Sequence, residues 1–504
     1  MNREELLDNL CSCPSGIFDK VVTYLKPPAG TLSSEMSSQA TRAAELLNWA
    51  EHSDGPTLEE LEKCYRRAIV EQPSKVPIKF WKVILTSLLV TGLTTTIVVK
   101  MRGAGILEKW ELQTFDLLMQ QRQVLGPDKR LLVILIDPED TKFLNQSPEE
   151  TGQGARTLSD KNLNKLLGKL ERFYPRVVGL DIFRAGNVDS EKYPQLKTIL
   201  QKGNLIAICG GESESVNKRS QRAPDDVPIE RIGFADVLLD WDDVVRRHYL
   251  AMTLKDSKPC KTNYIEAFSL NLALAYLQEE EGDFSRKDTE DDNFIQIGNT
   301  KFSPLELNVG AYLHSDSDVS GGIQVMLNYR PYRDYKKDIA QVLSLREFLK
   351  GEFPAQWVKD RIVLIGVDNN DDYHYTPYTK KGNAFNAGLP GVFLHAQMVS
   401  HILDVVTGQR PLIWTWLWWG DVFWLGVWSF AGSWLTWIAF LRNFWQRRLI
   451  LELAFFNGIA FIVLYVMCWG FFSIGGWIPL VPSVITIVLA DVTIMAYIVL
   501  SKEL

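Results

Sequence analysis

Apolar residues along this chain follow two short periods, and in four places they run on for 17 residues or more, the second run broken by Gly420 and Asp421. Those four runs cover residues 83–99, 412–441, 449–469 and 477–500. Each approaches or exceeds the about 20 apolar residues that a helix needs to cross a bilayer core. The first lies too far along the chain to be a cleaved signal peptide. Ahead of it, residues 1–72 show helical spacing in 4–10, 17–25 and 38–51, where Ala43, Leu46, Leu47 and Ala50 form one stripe. The turn Asp54-Gly55-Pro56 precedes a capping box, Thr57-Leu58-Glu59-Glu60, which opens a fourth helix running to about Val70. Between the first two long runs the pattern changes. Short continuous apolar stretches at 131–136, 177–180, 205–208 and 362–365 read as buried strands, and 160–173 and 264–277 read as helices between them. This alternation predicts an α/β domain with a largely parallel sheet. The expected fold is a multidomain membrane protein: a small all-α head, an α/β domain and four transmembrane helices.

Composition sharpens this picture. The chain has 504 residues, of which 46% are hydrophobic and 23% charged, and this excludes a disordered or collagen-like polymer. A net charge of -7 argues against a broadly basic nucleic-acid binder, so no nucleic-acid partner is expected. Eleven of the 16 Trp lie in the last 94 residues, and Trp414, Trp416, Trp418 and Trp419 fit an aromatic belt at a bilayer surface. Lys75, Lys79 and Lys82, the basic loop from Arg442 to Arg448, and Lys502 fall on one side of a four-span scheme. By the positive-inside rule that side is cytoplasmic. Residues 1–81 are then inside and about 105–410 outside, with Lys100 and Arg102 as minor dissent.

Candidate chemistry is sparse. The carboxyl ends of strands are where open parallel sheets bind ligands. Asp137, Asp181 and Asp368 fall at or just after three of the expected strand ends, with Arg184 close behind the second. They form either an acidic rim around a pocket or ordinary turn and cap carboxylates. Asp236, followed by Arg246 and Arg247 beyond an Asp242-Asp243 turn, reads either as a charged wall of that pocket or as an internal salt-bridge network. Asp371, Asp372 and His374 carry metal-donor atoms, and Asp181 could join them in space. No paired metal motif is present, and neither is a hydrolase elbow, a phosphate loop or a dinucleotide fingerprint. No metal, no cofactor and no catalytic residue is therefore expected. The acid-rich stretch 279–292 reads as a solvated insertion. Cys11, Cys13 and Cys64 lack a fourth ligand and zinc spacing. Cys209 and Cys260 could form a disulfide outside the cytoplasm, worth roughly 3–4 kcal/mol, or stand as separate thiols. Asp491 lies inside the last apolar run, at nearly the depth of Asn457 in the run before it, which suggests an intramembrane hydrogen bond or an ion path. Asp421 and Glu452 lie nearer the interfaces and can be hydrated there.

Two resemblances extend this reading. The head, through Leu25-Lys26-Pro27-Pro28-Ala29-Gly30-Thr31-Leu32-Ser33, then Arg42-Ala43 with Leu46-Leu47 and Trp49-Ala50-Glu51, then Gly55-Pro56 with Leu58 and Leu61, resembles the bacterial effector-associated domains. These are death-like helical adaptors, and the resemblance implies helix-face binding of residues 1–72 to a cytoplasmic effector or adaptor. Residues 103–410 resemble the type-2 CHASE sensor domain. The matching strings are Trp110-Glu111-Leu112 with Phe115-Asp116 and Met119; Pro175-Arg176-Val177-Val178-Gly179-Leu180-Asp181-Ile182-Phe183; Asp243-Val244-Val245-Arg246-Arg247; Asp360-Arg361-Ile362-Val363-Leu364-Ile365-Gly366; Thr376-Pro377-Tyr378; and Pro390-Gly391-Val392-Phe393-Leu394-His395-Ala396-Gln397. The C-terminal triplet of apolar runs is the companion that such domains usually carry.

The chain departs from that family in the acid run Asp368-Asn369-Asn370-Asp371-Asp372 with His374, and in having no cyclase, kinase or phosphodiesterase domain after the last run. The resemblance implies a non-enzymatic receptor in a bacterial plasma membrane. It would bind a small ligand outside, pass the signal through its helices and recruit an effector through the head. A homodimer or higher oligomer is the expected assembly by family analogy. The alternative expectation is a membrane-perturbing effector of a bacterial conflict or defence system, triggered through the head.

Overall fold

The computed structural model describes residues 2–34, 37–70, 80–147, 149–151, 157–182, 184, 186–210, 222–254, 257, 259–280, 282–287, 294–305, 310–312, 322–369, 372–379, 388–442 and 449–501. The chain divides into two compact units, Met1–Ile84 with Leu500–Leu504, and Leu85–Val499.

The first unit holds α1 (Arg3–Ser12), α2 (Ser15–Leu25), α3 (Gln39–Glu51) and α4 (Leu58–Val70). Local chemistry sets their ends. Asn2 and Glu5 form a capping box on α1, and the Ser38 hydroxyl accepts from the Thr41 amide on α3. The Glu60 amide donates to Thr57 Oγ1 at 3.4 Å at the start of α4. Leu6, Leu10, Phe18, Val21, Leu46, Leu47 and Leu61 are buried in one shared core. Cys11, Cys13 and Cys64 are free thiols.

The second unit follows α5 (Phe80–Gly103), which straddles the boundary. Its elements are α6 (Glu108–Gln120), β1 (Asp128–Ile136), α7 (Pro138–Leu144), α8 (Asp160–Glu171), β2 (Val177–Asp181), α9 (Pro194–Lys202), β3 (Leu205–Cys209), β4 (Ile232–Phe234), β5 (Arg247–Thr253), β6 (Tyr264–Glu266) and α10 (Phe268–Leu277). Then come β7 (Arg286–Lys287), β8 (Ile295–Ile297), β9 (Thr300–Phe302), β10 (Gly322–Met326), α11 (Tyr335–Asp338), β11 (Ala340–Ser344), α12 (Leu345–Lys350), β12 (Ile362–Val367), β13 (Tyr373–His374), β14 (Leu389–Pro390) and α13 (Gly391–Val406). The apolar helices α14 (Trp418–Arg442), α15 (Leu449–Ser473) and α16 (Val481–Leu500) follow.

Six strands form a parallel sheet in the order β11-β1-β12-β2-β3-β4. Residues Leu131 to Ile136 of β1 are all buried, as the apolar run requires of a strand covered on both faces. Helix α13 lies along β1 and β12, and α10 along β2, β3 and β4. Glycine sets both approaches. A Cβ on Gly366 would lie 2.4 Å from Val392 Cβ, and one on Gly179 would lie 2.8 Å from the Phe268 ring. A second, antiparallel sheet has the order β10-β5-β6. The helix expected over 264–277 is shorter than its pattern suggests. Residues 264–266 pair with β5 instead, and the helix starts after an extended Ala267.

Four helices, α5, α14, α15 and α16, are long and apolar enough to cross a membrane. In α15 only 11% of the most apolar window is buried, so most of that helix is free to face lipid. Two of the expected spans begin later than their hydropathy does. Residues 412–417 are not helical, because Trp414 spends its backbone groups on the turn after α15: its amide donates to Gly475 O and its carbonyl accepts from Trp477 N, both at 2.8 Å. Residues 477–480 likewise precede α16.

Candidate functional site

Register brings three acids to one edge. Ile136 pairs with Val367 and Gly366 with Asp181, so Asp137, Asp181 and Asp368 all lie at the carboxyl ends of neighbouring strands. Their surroundings then separate them. Asp137 is the N-cap of α7, closing a capping box with Asp140, and it takes two hydrogen bonds from Arg346 at 3.1 and 3.2 Å. Asp368 accepts from the Tyr373 hydroxyl at 2.6 Å and from Lys336 Nζ at 3.1 Å. These two are consumed by local structure.

Asp181 differs. Its side chain is 8% exposed, and His395 of α13 lies beside it, with Nε2 at 3.9 Å from Oδ1. Burial pushes the Asp181 carboxyl well above its ordinary range, and the charge of Asp372 adds to this. Asp372 sits against the first turn of α13, so close that a Cβ on Gly391 would lie 2.4 Å from Oδ2, and it pairs with His374 at 3.4 Å. Burial pulls the His395 imidazole down to about 4, with Asp372 opposing and His374 assisting the shift. His395 Nδ1 is buried without a hydrogen-bond partner among the described residues, and its ring meets Phe268 edge-on. His248 of β5 donates to or accepts from Ser269 Oγ at 2.7 Å and is pulled down to about 3 by burial and by His395. His401 is buried with neither ring nitrogen bonded among the described residues. The interior beside Asp181 thus holds the imidazoles of His395 and His248, both pulled down by burial, next to a carboxyl group that burial pushes up. Asp371 lies outside the described residues, and among those described no group of three donors is placed to hold a metal ion.

The other candidate charges are internal. Arg184 is buried on Asp160 at 2.6 Å and on Gly186 O at 3.0 Å. Arg246, fully buried, meets three carboxylates: Asp116 at 2.7 Å, Asp242 at 2.8 Å and Asp240 at 2.9 Å. Arg247 reaches the same Asp240 at 2.8 Å and lies 4.5 Å from the Tyr312 ring centroid. Asp236 is half-buried. Arg246 and Arg247 are thus engaged in an internal salt-bridge network, while Arg184 keeps a buried Nε with no hydrogen-bond partner among the described residues. A second interior network joins Asp128, Arg130, Arg330, Asp404 and Arg410 beneath α13. Burial opposes the Asp128 charge, but Arg130 and Arg330 hold its carboxyl low, at about 2.

Cys209, at the end of β3, is bonded to Cys260 across 51 residues. In the apolar bundle, Asp491 Oδ2 accepts from Asn457 Nδ2 and its Oδ1 from Thr436 Oγ1, both at 2.7 Å.

One site escapes the sequence reading altogether. Arg102, at the end of α5, is 5% exposed, and it bonds Glu111 of α6 at 2.8 Å, Asp421 of α14 at 2.9 Å and the Gly310 carbonyl at 2.7 Å. Asp421 is thus a buried partner and not a hydrated interfacial acid. The available signal was a cation just past one apolar run and an anion at the start of the next, at matching depth.

An α/β domain carried between helices apolar enough to cross a bilayer is the architecture of a membrane protein. The chain belongs to the CHASE2 domain family, which matches residues 90–434, from within α5 to within α14. CHASE2 domains are sensory extracellular domains. No curated protein and no solved structure matches the chain.

Proposed function

We propose that this protein is a non-enzymatic membrane receptor. Its CHASE2 domain faces the outside of a bacterial plasma membrane, and its head, residues 1–72, recruits a cytoplasmic effector. The observation that carries this reading is the Arg102 joint. One guanidinium group ties the end of the first apolar helix to the start of the second, to α6 and to the domain's backbone at Gly310. Removing Arg102 strands two buried carboxylates, so the domain and both helices hold or change their arrangement together. The edge around Asp181, His395 and Asp372 is the seat for an outside ligand, because Asp181 and His395 are buried and short of partners there, and Asp372 opens the edge to solvent. The head's four helices close their own core, which leaves their outer faces for a partner. The basic residues flanking the apolar runs support cytoplasmic termini.

The test uses full-length protein in its native membrane. A membrane-impermeant amine reagent should label lysines of the CHASE2 domain in intact cells and leave those of residues 1–72 unlabelled. A cytoplasmic partner should co-purify with the intact chain and be lost on deletion of 1–72. Labelling of the head from outside, or a partner set unchanged by the deletion, overturns the proposal.

A further inference from the structure

A groove of about 300 Å³ opens between strands β9 and β10 and the segment that leads into α14. Leu305, Val325 and Met326 form one wall, Leu412 and Ile413 the other, and Lys301 stands at the rim. This size is at the small end for ligand sites. The second wall continues into a lipid-facing belt in which Leu417, Trp418, Trp419 and Phe423 are more than half exposed. Exposed Trp at the start of an apolar helix marks the headgroup level of a bilayer, so the mouth of the groove lies where lipid is the surrounding solvent. The Lys301 ammonium group packs 3.6 Å from the centroid of the Phe294 ring and has no carboxylate partner among the described residues.

We infer that this groove binds one acyl chain of an anionic lipid from the leaflet on the domain's side, with the headgroup phosphate on Lys301. The apolar walls match the chain, and the Lys301 ammonium group, without a carboxylate partner among the described residues, matches the headgroup. The site is separate from the edge at Asp181. Its consequence for signalling rests on the receptor reading. The segment 412–417 is the groove's inner wall, and through Trp414 it is bonded to the turn between α15 and α16. Trp416 packs against Trp424 of α14 and Phe471 of α15, each with ring centroids 5.6 Å apart. A chain in the groove therefore bears on all three C-terminal helices.

The test is photo-cross-linking of the full-length protein in nanodiscs of phosphatidylcholine doped with phosphatidylglycerol that carries a diazirine on one acyl chain, followed by peptide mapping. Adducts are expected on residues 301–305, 325–326 and 412–417. Lys301→Glu should cut them about fivefold, and Lys301→Arg should preserve them. Val325→Trp, which fills the groove, should abolish them while adducts on the exposed face of α15 persist. Equal labelling by the matching phosphatidylcholine probe overturns the anionic-lipid assignment. Groove adducts unchanged by Lys301→Glu and by Val325→Trp overturn the site. Because Lys301 is a surface residue, its variant keeps the test valid if Val325→Trp fails to fold. Partner capture through residues 1–72 is measured on the same samples. Loss of labelling with capture intact removes the lipid site alone, and labelling without capture removes the receptor reading alone.

Discussion

Arg102 Nη1 donates to Asp421 Oδ2 at 2.9 Å, across 319 positions of sequence, with both side chains under 10% exposed. The same guanidinium holds Glu111. Replacing Arg102 by Ala strands two buried carboxylates, and the expected loss is about 3–5 kcal/mol. Asp421→Asn keeps a hydrogen-bond acceptor and leaves the Glu111 pair intact, so its loss is smaller. Thermal unfolding of the detergent-solubilised chain measures both. Equal effects of the two variants would mean that the joint is a simple pair.

Arg246 tests whether its charges face a ligand or the fold. With three carboxylates around one buried guanidinium, Arg246→Gln should destabilise the domain by about 3–5 kcal/mol. A pocket-wall arginine would instead lose binding and keep its melting temperature. A variant that unfolds at the wild-type midpoint excludes the network role.

The imidazole of His395 gives an acid limb of defined sign. Its value falls from 6.5 to about 4 on folding, so the neutral form is the one the fold accepts. Stability is complete above pH 6.5 and declines as pH falls through 4, by about 3 kcal/mol from this residue. Asp181 acts in the opposite sense. Its raised value means that its contribution is complete at low pH and is lost as pH rises through the folded-state value. His395→Gln should therefore flatten the decline between pH 6.5 and 4, read from denaturant midpoints across that range. A variant whose midpoints track the wild type at every pH would place the titration elsewhere.

The bond between Cys209 and Cys260 closes a loop of 51 residues. Double replacement by Ala should cost about 3–4 kcal/mol, and reductant should lower the wild-type midpoint toward that of the variant. Reductant that also shifts the double variant would point to the free thiols instead.

Gly366 is where helix and sheet are closest. A methyl group there would meet Val392 Cβ at 2.4 Å, and a Cβ fixed to a helix backbone cannot rotate away. Gly366→Ala should cost at least about 1–3 kcal/mol, seen as a lower melting temperature. An unchanged temperature would show that α13 can lift from β12.

Much of this molecule is written locally. The runs at 131–136 and 362–365 are too apolar to be anything but buried strands, and those at 83–99 and 449–469 suit nothing but an apolar environment, since composition alone fixes their transfer energy. Turn and cap chemistry placed α3 and α4 to within a residue or two. Hydropathy could not say where α14 starts, because residues 412–417 are apolar either way, and only the backbone pairing of Trp414 with Gly475 and Trp477 makes them extended. It could not sort the charges either. Asp137, Asp181 and Asp368 are alike in sequence, but Arg346 and Lys336 arrive beside two of them from distant positions and leave the third to His395. The sequence by itself determined which segments leave water, since that depends on side chains taken one at a time. Only the tertiary structure decided which buried charges meet, since a pair such as Arg102 and Asp421 exists through chain closure over hundreds of residues and through a shared interior that solvent does not screen.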